Sequence, residues 1–335
     1  MNGKCSIAVL GAGTWGTALS RMLANDGHDI TVWSAIASEV ENLGKCRVHP
    51  NLPEVQLPDS IIFTGDMKEA CNDKDIIVMA VPSVFVRSTA EKAAAFIKNG
   101  QIIADVAKGI EPDSLMTMTQ VIKQALGEER NAKLVALSGP THAEEVARDM
   151  TTTIVAACED IEAAGYVQKI FSNKIMRVYT NADVLGVEIC GALKNIIALA
   201  AGMAAGLGFG DNLKAAIITR GMAEISRLGI KMGCKEQTFA GLAGIGDLIV
   251  TATSRHSRNN KAGFLMGQGL SSQDAVKEVG MVVEGINALP AALELSEKYQ
   301  VEMPLTEAVN KVVNKGRNAR DVYDELMARE YKSEG

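Results

Sequence analysis

A short apolar run, Ser6-Ile-Ala-Val-Leu10, leads without a break into Gly11-Ala-Gly13-Thr-Trp-Gly16, and the residues that follow, Thr17 to Asn25, have the Ala/Leu/Met composition of a helix. No other stretch of the chain narrows the fold as much. Gly11 permits a tight turn after a strand, Gly13 lets a pyrophosphate come up against the backbone, and Gly16 lets the helix pack closely on the strand. The start of the helix then offers unpaired N–H groups to the phosphates. The next apolar run, Ile30-Thr-Val-Trp33, supplies a second strand. Strand, glycine turn, helix and strand in that order predict a dinucleotide-binding unit at the head of an α/β, Rossmann-type doubly wound sheet.

Further strand candidates alternate with helical stretches: Ile61–Thr64, Ile76–Val81, Ile102–Val106, Leu134–Ser138, Thr153–Ala157 and Met176–Thr180. That alternation predicts a mostly parallel sheet, whose ligand lies beyond the carboxyl ends of the strands. The segments in that position are Pro82-Ser83, Lys108-Gly109 and Gly139-Pro140-Thr141-His142. Lys108 is therefore expected to face the crevice, as a cation beside cofactor and anionic substrate. The end of the second strand usually selects the cofactor: an acid holds the ribose 2′-hydroxyl, and an Arg accommodates a 2′-phosphate. Here Trp33-Ser-Ala-Ile36 carries neither, Glu39 lies further on, and the choice between NAD and NADP stays open.

After Thr180 the strand signal fades and helices take over: Asp183–Leu207, Leu213–Leu228, Ala275–Val279, Ala288–Tyr299, Leu305–Asn314 and Ala319–Arg329. Two domains are expected, a dinucleotide-binding domain over 1–181 and an all-α substrate-binding domain over 182–335. From Ile189 to Leu207 the only polar side chains are Lys194 and Asn195. At helical spacing Lys194 meets Cys190, Gly191, Ile197 and Ala198, so no acid on its own helix balances it. A buried ammonium must find a tertiary partner or lose its proton more easily, and such a lysine suits proton transfer. The same stretch is long enough for a membrane span, but the polar residues inside it and its Gly/Ala content predict a buried helix of a protein with no membrane span.

Two segments between the helices carry unusual chemistry. Gly241-Leu-Ala-Gly244-Ile-Gly246-Asp247 places an acid at the end of a glycine-rich turn, with Thr251 four residues on. Asp247 is a candidate partner for Lys194 or a grip on a substrate hydroxyl. The span from Thr251 to Gly263 reads as a basic loop, with Arg255, His256, Arg258 and Lys261 and no acid. On a chain of net charge −6 this local positive patch predicts a small anion, not nucleic acid, as ligand. The fork of Arg258 beside Asn259 suits a phosphate. The six cysteines are scattered, with neither a CxxC nor a grouping with His, so no metal or disulfide framework is expected. The absence of an apolar leader near Met1 predicts a cytoplasmic protein.

Taken together, the chain resembles the bacterial-type, soluble NAD(P)-dependent glycerol-3-phosphate dehydrogenases from end to end. The motifs that carry the resemblance are Gly11-Ala-Gly-Thr-Trp-Gly16, Ala107-Lys-Gly-Ile-Glu111, Ser138-Gly-Pro-Thr-His-Ala-Glu-Glu145, Leu193-Lys-Asn195, Gly241 to Asp247, Ser257-Arg-Asn259 and Val283-Glu-Gly285. The resemblance implies reversible reduction of dihydroxyacetone phosphate to sn-glycerol 3-phosphate, supplying glycerophospholipid synthesis, with NADP or NAD as cofactor, in a homodimer without metal. It implies that Lys194 is the general acid/base. Lys108, Gly139, Thr141, Lys194, Asp247, Ser257, Arg258 and Asn259 would contact substrate. Gly11, Gly13, Thr14, Trp15, Gly16, Lys108, Ala143, Arg258, Val282 and Glu284 would contact the cofactor. The chain departs from the family pattern at three points: His142 stands where Phe is usual, Asn51 where Tyr is common, and Ala35 where Arg or His often supports a 2′-phosphate. The 3-hydroxyacid dehydrogenases also join a Rossmann domain to a helical lysine, but there an Asn follows several positions later. Adjacent Lys194-Asn195 with Ser257-Arg-Asn259 favours a phosphate substrate.

Overall fold

The computed structural model describes residues 3–331 and 333, and it divides into two compact units. The first comprises 1–111 and 116–188; the second comprises 112–115 and 189–335.

The first unit is built on ten strands: β1 Ser6–Leu10, β2 Asp29–Trp33, β3 Val48–His49, β4 Leu52–Gln56, β5 Ile62–Thr64, β6 Ile76–Met79, β7 Ile102–Asp105, β8 Lys133–Ser138, β9 Thr152–Ala157 and β10 Met176–Asn181. Eight of them form one sheet in the order β10-β9-β8-β7-β6-β1-β2-β5. Neighbours are parallel except β8 and β9, which pair antiparallel. Strands buried on both faces account for the near-continuous Ile/Val/Ala runs. Their side chains alternate between two cores. Ile7, Val9, Leu19, Leu23 and Val32 pack on one face. Ala8, Leu10, Ile77, Met79, Val86 and Met118 pack on the other. Each such aliphatic side chain contributes about 1.5–3 kcal/mol when fully buried.

The β3–β4 hairpin is absent from the sequence expectation. Leu52 and Val55 of the hairpin pack with Ala18, Ala143 and Ala147, and Trp15 lies against the same cluster. On the second of the two sheet faces, the helix Met118–Leu126 begins with a capping box between Thr117 and Gln120. Buried Glu188 caps it a second time, accepting from the Thr117 hydroxyl at 2.7 Å and from the Thr119 amide at 2.8 Å. Burial pushes the Glu188 carboxyl upward, and that of Asp105 well upward, with the Glu188 charge adding to the second shift.

The second unit is helical. Among the described residues one helix, Val184–Gly206, is long and apolar enough to cross a membrane, but 83% of its most apolar window is buried inside the protein. Its second half lies against the helix Arg258–Gly267 with bare backbone on both sides. A Cβ on Gly202 would sit 2.1 Å from the Asn260 carbonyl oxygen, and one on Gly206 2.1 Å from that of Phe264. Reciprocally, a Cβ on Gly263 would sit 2.1 Å from the Leu199 oxygen, and one on Gly267 2.3 Å from that of Met203. Only glycine fits these four places.

The sequence expectation of a basic loop from Thr251 to Gly263 is corrected here. Asp247–Thr253 and Arg258–Gly267 are helices, and only 254–257 link them. A further short helix, Glu236–Phe239, and a wide turn over Leu242–Gly246 precede them.

Candidate active site

In the first unit the glycine turn has the geometry a dinucleotide needs. Gly11 follows β1 directly with φ +127°, and a Cβ there would lie 2.6 Å from the Ala80 oxygen. A Cβ on Gly16 would lie 2.2 Å from the Gly11 oxygen, so strand and helix meet only because both lack side chains. Gly13 is the N-cap of the helix Thr14–Asn25; no side chain caps that end, and nothing stands within 4 Å of where its Cβ would be. Open space in front of uncapped amides fits a diphosphate. Thr14 and Trp15 begin the helix, half-buried, and Asn51 of the hairpin donates to Thr14 Oγ1 at 3.0 Å. Asn51, the departure from the family pattern, therefore tethers the hairpin to the glycine turn. Ala143, buried, opens the short helix Ala143–Ala147 that packs against the same helix, with His142 at its N-cap.

Lys108 lies beyond the carboxyl end of β7. Its Nζ donates to the Gly139 carbonyl at 3.1 Å and lies 3.5 Å from Thr141 Oγ1, whose hydroxyl also donates to Gly139 at 3.1 Å. The structure thus brings together Lys108, Gly139 and Thr141. Gly139 has φ +150°, and a Cβ there would meet Ile154 Cα at 3.0 Å.

In the second unit Lys194 is 4% exposed and Asp247 2%. Lys194 Nζ stands 3.0 Å from Asp247 Oδ1 and donates to Thr251 Oγ1 at 2.5 Å. The Thr251 hydroxyl in turn donates to the Asp247 carbonyl at 2.7 Å. Of the two ways to bury an ammonium, the chain uses the tertiary partner. Thr251 was noted in the sequence only for its position; read as part of a helix, four residues after Asp247 places it on the same face. Asn195, next to the lysine, receives Asn259 Nδ2 at 3.0 Å on its side-chain oxygen, and Asn259 Oδ1 accepts from the Gly285 amide at 2.9 Å. This chain of amides ties the lysine helix to the helix Arg258–Gly267 and to the start of the helix Glu284–Tyr299. Ser257, buried, is the N-cap of the former, accepting from the Asn260 amide at 3.2 Å. Arg258 is the first helical residue and is exposed. Val282 is half-buried in the preceding turn, and Glu284 opens the helix Glu284–Tyr299. The site residues expected from the sequence thus fall into two sets, one in each unit.

Residues 6–164 match the family model for the N-terminal part of NAD-dependent glycerol-3-phosphate dehydrogenase, and residues 183–324 match that for its C-terminal part. Glycerol-3-phosphate dehydrogenase (NAD(P)+) 2 of Lactobacillus delbrueckii subsp. bulgaricus is 65% identical over 331 residues, covering 98% of each chain. The glycerol-3-phosphate dehydrogenase (NAD(P)+) of Agathobacter rectalis is 55% identical, over 98% of this chain and 97% of its own. Among solved structures, the crystal structure of glycerol-3-phosphate dehydrogenase from Coxiella burnetii superposes with a TM-score of 0.92 at 32% identity, covering 97% of this chain and 99% of that one.

Proposed function

Because the chain belongs to the NAD-dependent glycerol-3-phosphate dehydrogenase family, we propose that Lys194 carries the proton chemistry of the reaction it catalyses, the reversible NAD(P)H-dependent reduction of dihydroxyacetone phosphate to sn-glycerol 3-phosphate. A dinucleotide held at the glycine turn Gly11–Gly16 would supply or accept the hydride at C2. In the reducing direction Lys194 gives a proton to the oxygen on C2 as the carbonyl becomes an alcohol; in the oxidising direction it accepts that proton. Before transfer its charge stabilises the oxyanion forming on that atom. Asp247 and Thr251 hold the ammonium in place, and Asp247 balances its charge inside the protein. Arg258, with Ser257 and Asn259, takes the substrate phosphate and so orients C2, converting remote binding into alignment. Lys108, Gly139 and Thr141 supply further substrate contacts. Gly11, Gly13, Thr14, Trp15, Gly16, Lys108, Ala143, Arg258, Val282 and Glu284 are the residues we assign to the dinucleotide. Residues 1–181 serve as the nucleotide-binding domain and 182–335 as the substrate-binding domain.

The observation that carries the assignment is the buried ammonium of Lys194, ion-paired at 3.0 Å with Asp247. A lysine there has no use in solubility. The experiment is to follow NADH and NADPH oxidation in parallel with dihydroxyacetone phosphate, for the parent and for Lys194→Met. Turnover by the variant within about tenfold of the parent ends the assignment, since positioned proton transfer supplies about 10²–10⁴ in rate.

The cellular role we infer is supply of glycerol 3-phosphate to phospholipid synthesis, in the cytoplasm, by a homodimer. In favour of the last is a groove of about 880 Å³ in the second unit, lined by Leu213, Ile217, Ile230, Val309 and Leu326 among others. Its apolar character suits the same face of a second copy. Light scattering of the purified protein distinguishes dimer from monomer.

A further inference from the structure

The end of β2 carries no acid in the sequence, yet the fold brings one there. Ser34 is 5% exposed, and its amide extends the β2–β5 pairing by donating to the Thr64 carbonyl at 3.1 Å. Its hydroxyl donates to Glu39 Oε2 at 2.6 Å and accepts from the Ile36 amide at 3.1 Å. Glu39 lies in the first turn of the helix Ala37–Cys46, half-buried, and among the described residues its Oε1 accepts no hydrogen bond. A second line of contacts locates the same carboxylate. The Gly11 amide of the glycine turn donates to the Trp33 carbonyl at 2.9 Å, next to the Ser34 that holds Glu39. Glu39 therefore lies at the end of β2, where the glycine turn hydrogen-bonds the strand.

The lysine and the arginine nearest in the sequence are engaged elsewhere. Between Ser34 and Asp66 the sequence holds one lysine and one arginine. Lys45 is paired with Glu41 at 2.5 Å. Arg47 donates to the Ile61 carbonyl at 2.6 Å and lies over the Phe63 ring, 3.9 Å from Asp59. Ala35 itself is exposed and offers no charge.

We propose that Glu39, positioned by Ser34, reads the ribose of the cofactor's adenosine half: its carboxylate accepts from the 2′-hydroxyl and repels a 2′-phosphate, so that the enzyme works with NAD(H) in preference to NADP(H). The proposal rests on the glycine turn binding a dinucleotide, and it names which one. A 2′-hydroxyl is a donor and suits a carboxylate with an open oxygen; a 2′-phosphate brings a second negative charge to the same point. Ser34 is a positioning residue: it touches Glu39, not the cofactor.

The test is equilibrium binding without substrate, by fluorescence titration with NADH and with NADPH, on the full chain. The parent is expected to bind NADH more tightly than NADPH by at least about tenfold, because a 2′-phosphate would bring like charges together at Glu39. Glu39→Gln keeps a hydrogen-bonding group without the charge, and its NADPH affinity rises while NADH affinity changes only a few-fold. Ser34→Ala removes the tether alone and lowers the NADH/NADPH ratio in the same direction. Equal affinity of the parent for both dinucleotides, or an unchanged ratio in Glu39→Gln, overturns the assignment of Glu39. Binding of neither dinucleotide by the folded parent overturns the underlying dinucleotide reading, and this proposal with it.

Discussion

Replacing Lys194 by Met tests the buried pair as well as the chemistry. Met has a similar length and no charge, so the apolar wall around the side chain is kept while the Asp247 carboxylate, 2% exposed, loses the ammonium that stood 3.0 Å away. Breaking a buried ion pair by removing one partner costs about 3–5 kcal/mol, far more than the intact pair contributes relative to an apolar substitute. The loss belongs to the second unit, and the two spectroscopic signals separate it: both tryptophans, Trp15 and Trp33, lie in the first unit, whereas far-UV circular dichroism is dominated by the helices of the second. Urea unfolding of Lys194→Met followed at 222 nm should show the loss, with the tryptophan signal much less affected. Adding Asp247→Leu to it removes the remaining charge and should recover more than half of the lost stability, although turnover stays absent. A single variant that loses less than about 1 kcal/mol, in the range of an exposed ion pair, would refute the reasoning. So would a double variant as unstable as the sum of the two single ones.

Glu224 is buried, accepts from the Leu305 amide at 2.7 Å, and has its carboxyl pushed up to about 7 by desolvation. The folded state keeps that proton to higher pH than the unfolded chain, so stability falls as pH rises from about 4.5 to about 7, by an amount on the order of 3 kcal/mol. Glu224→Gln should flatten that part of the stability–pH curve, measured by urea unfolding; an unchanged slope counts against the buried, protonated carboxyl. Gly263→Ala drives a methyl to 2.1 Å from the Leu199 oxygen and should cost about 3 kcal/mol or more, with the apparent melting temperature as the measure. Arg258→Ala should raise KM for dihydroxyacetone phosphate about 10- to 100-fold, the worth of one charge-assisted contact, and lower kcat where phosphate anchoring aligns C2. Unaltered KM in that variant means the phosphate is held elsewhere.

Much of this architecture is legible in the chain because the residues that make it are neighbours. Turn, strand and helix succeed one another between Ser6 and Asn25, and the glycines leave a compositional trace. The β3–β4 hairpin leaves none: it is short, and Pro50 and Pro53 read as breakers. The helix Arg258–Gly267 reads as a loop in the sequence for a different physical reason. Its buried face is Asn259, Ala262, Gly263 and Met266, chosen for closeness of backbones, so it shows no stripe of large apolar side chains. The lysine–aspartate pair joins residues far apart in the chain: the sequence offers Asp247 as a candidate partner for the unbalanced Lys194, and only the fold brings the two together. The same holds for Glu39, five positions beyond Ser34, which is near the end of β2 only because a helix turns back on it.

The four mutually facing glycines, Gly202, Gly206, Gly263 and Gly267, give the helical unit an unusual kind of stiffness. Side chains meeting at a seam can swap rotamers and absorb a displacement; two naked peptide chains have nothing to swap. The lateral spacing between the rod bearing Lys194 and the rod bearing Arg258 is thus fixed by what has been left off. Tuning this enzyme toward a longer or shorter substrate by repacking that seam is closed off, and such changes have to come from the tips of the two rods.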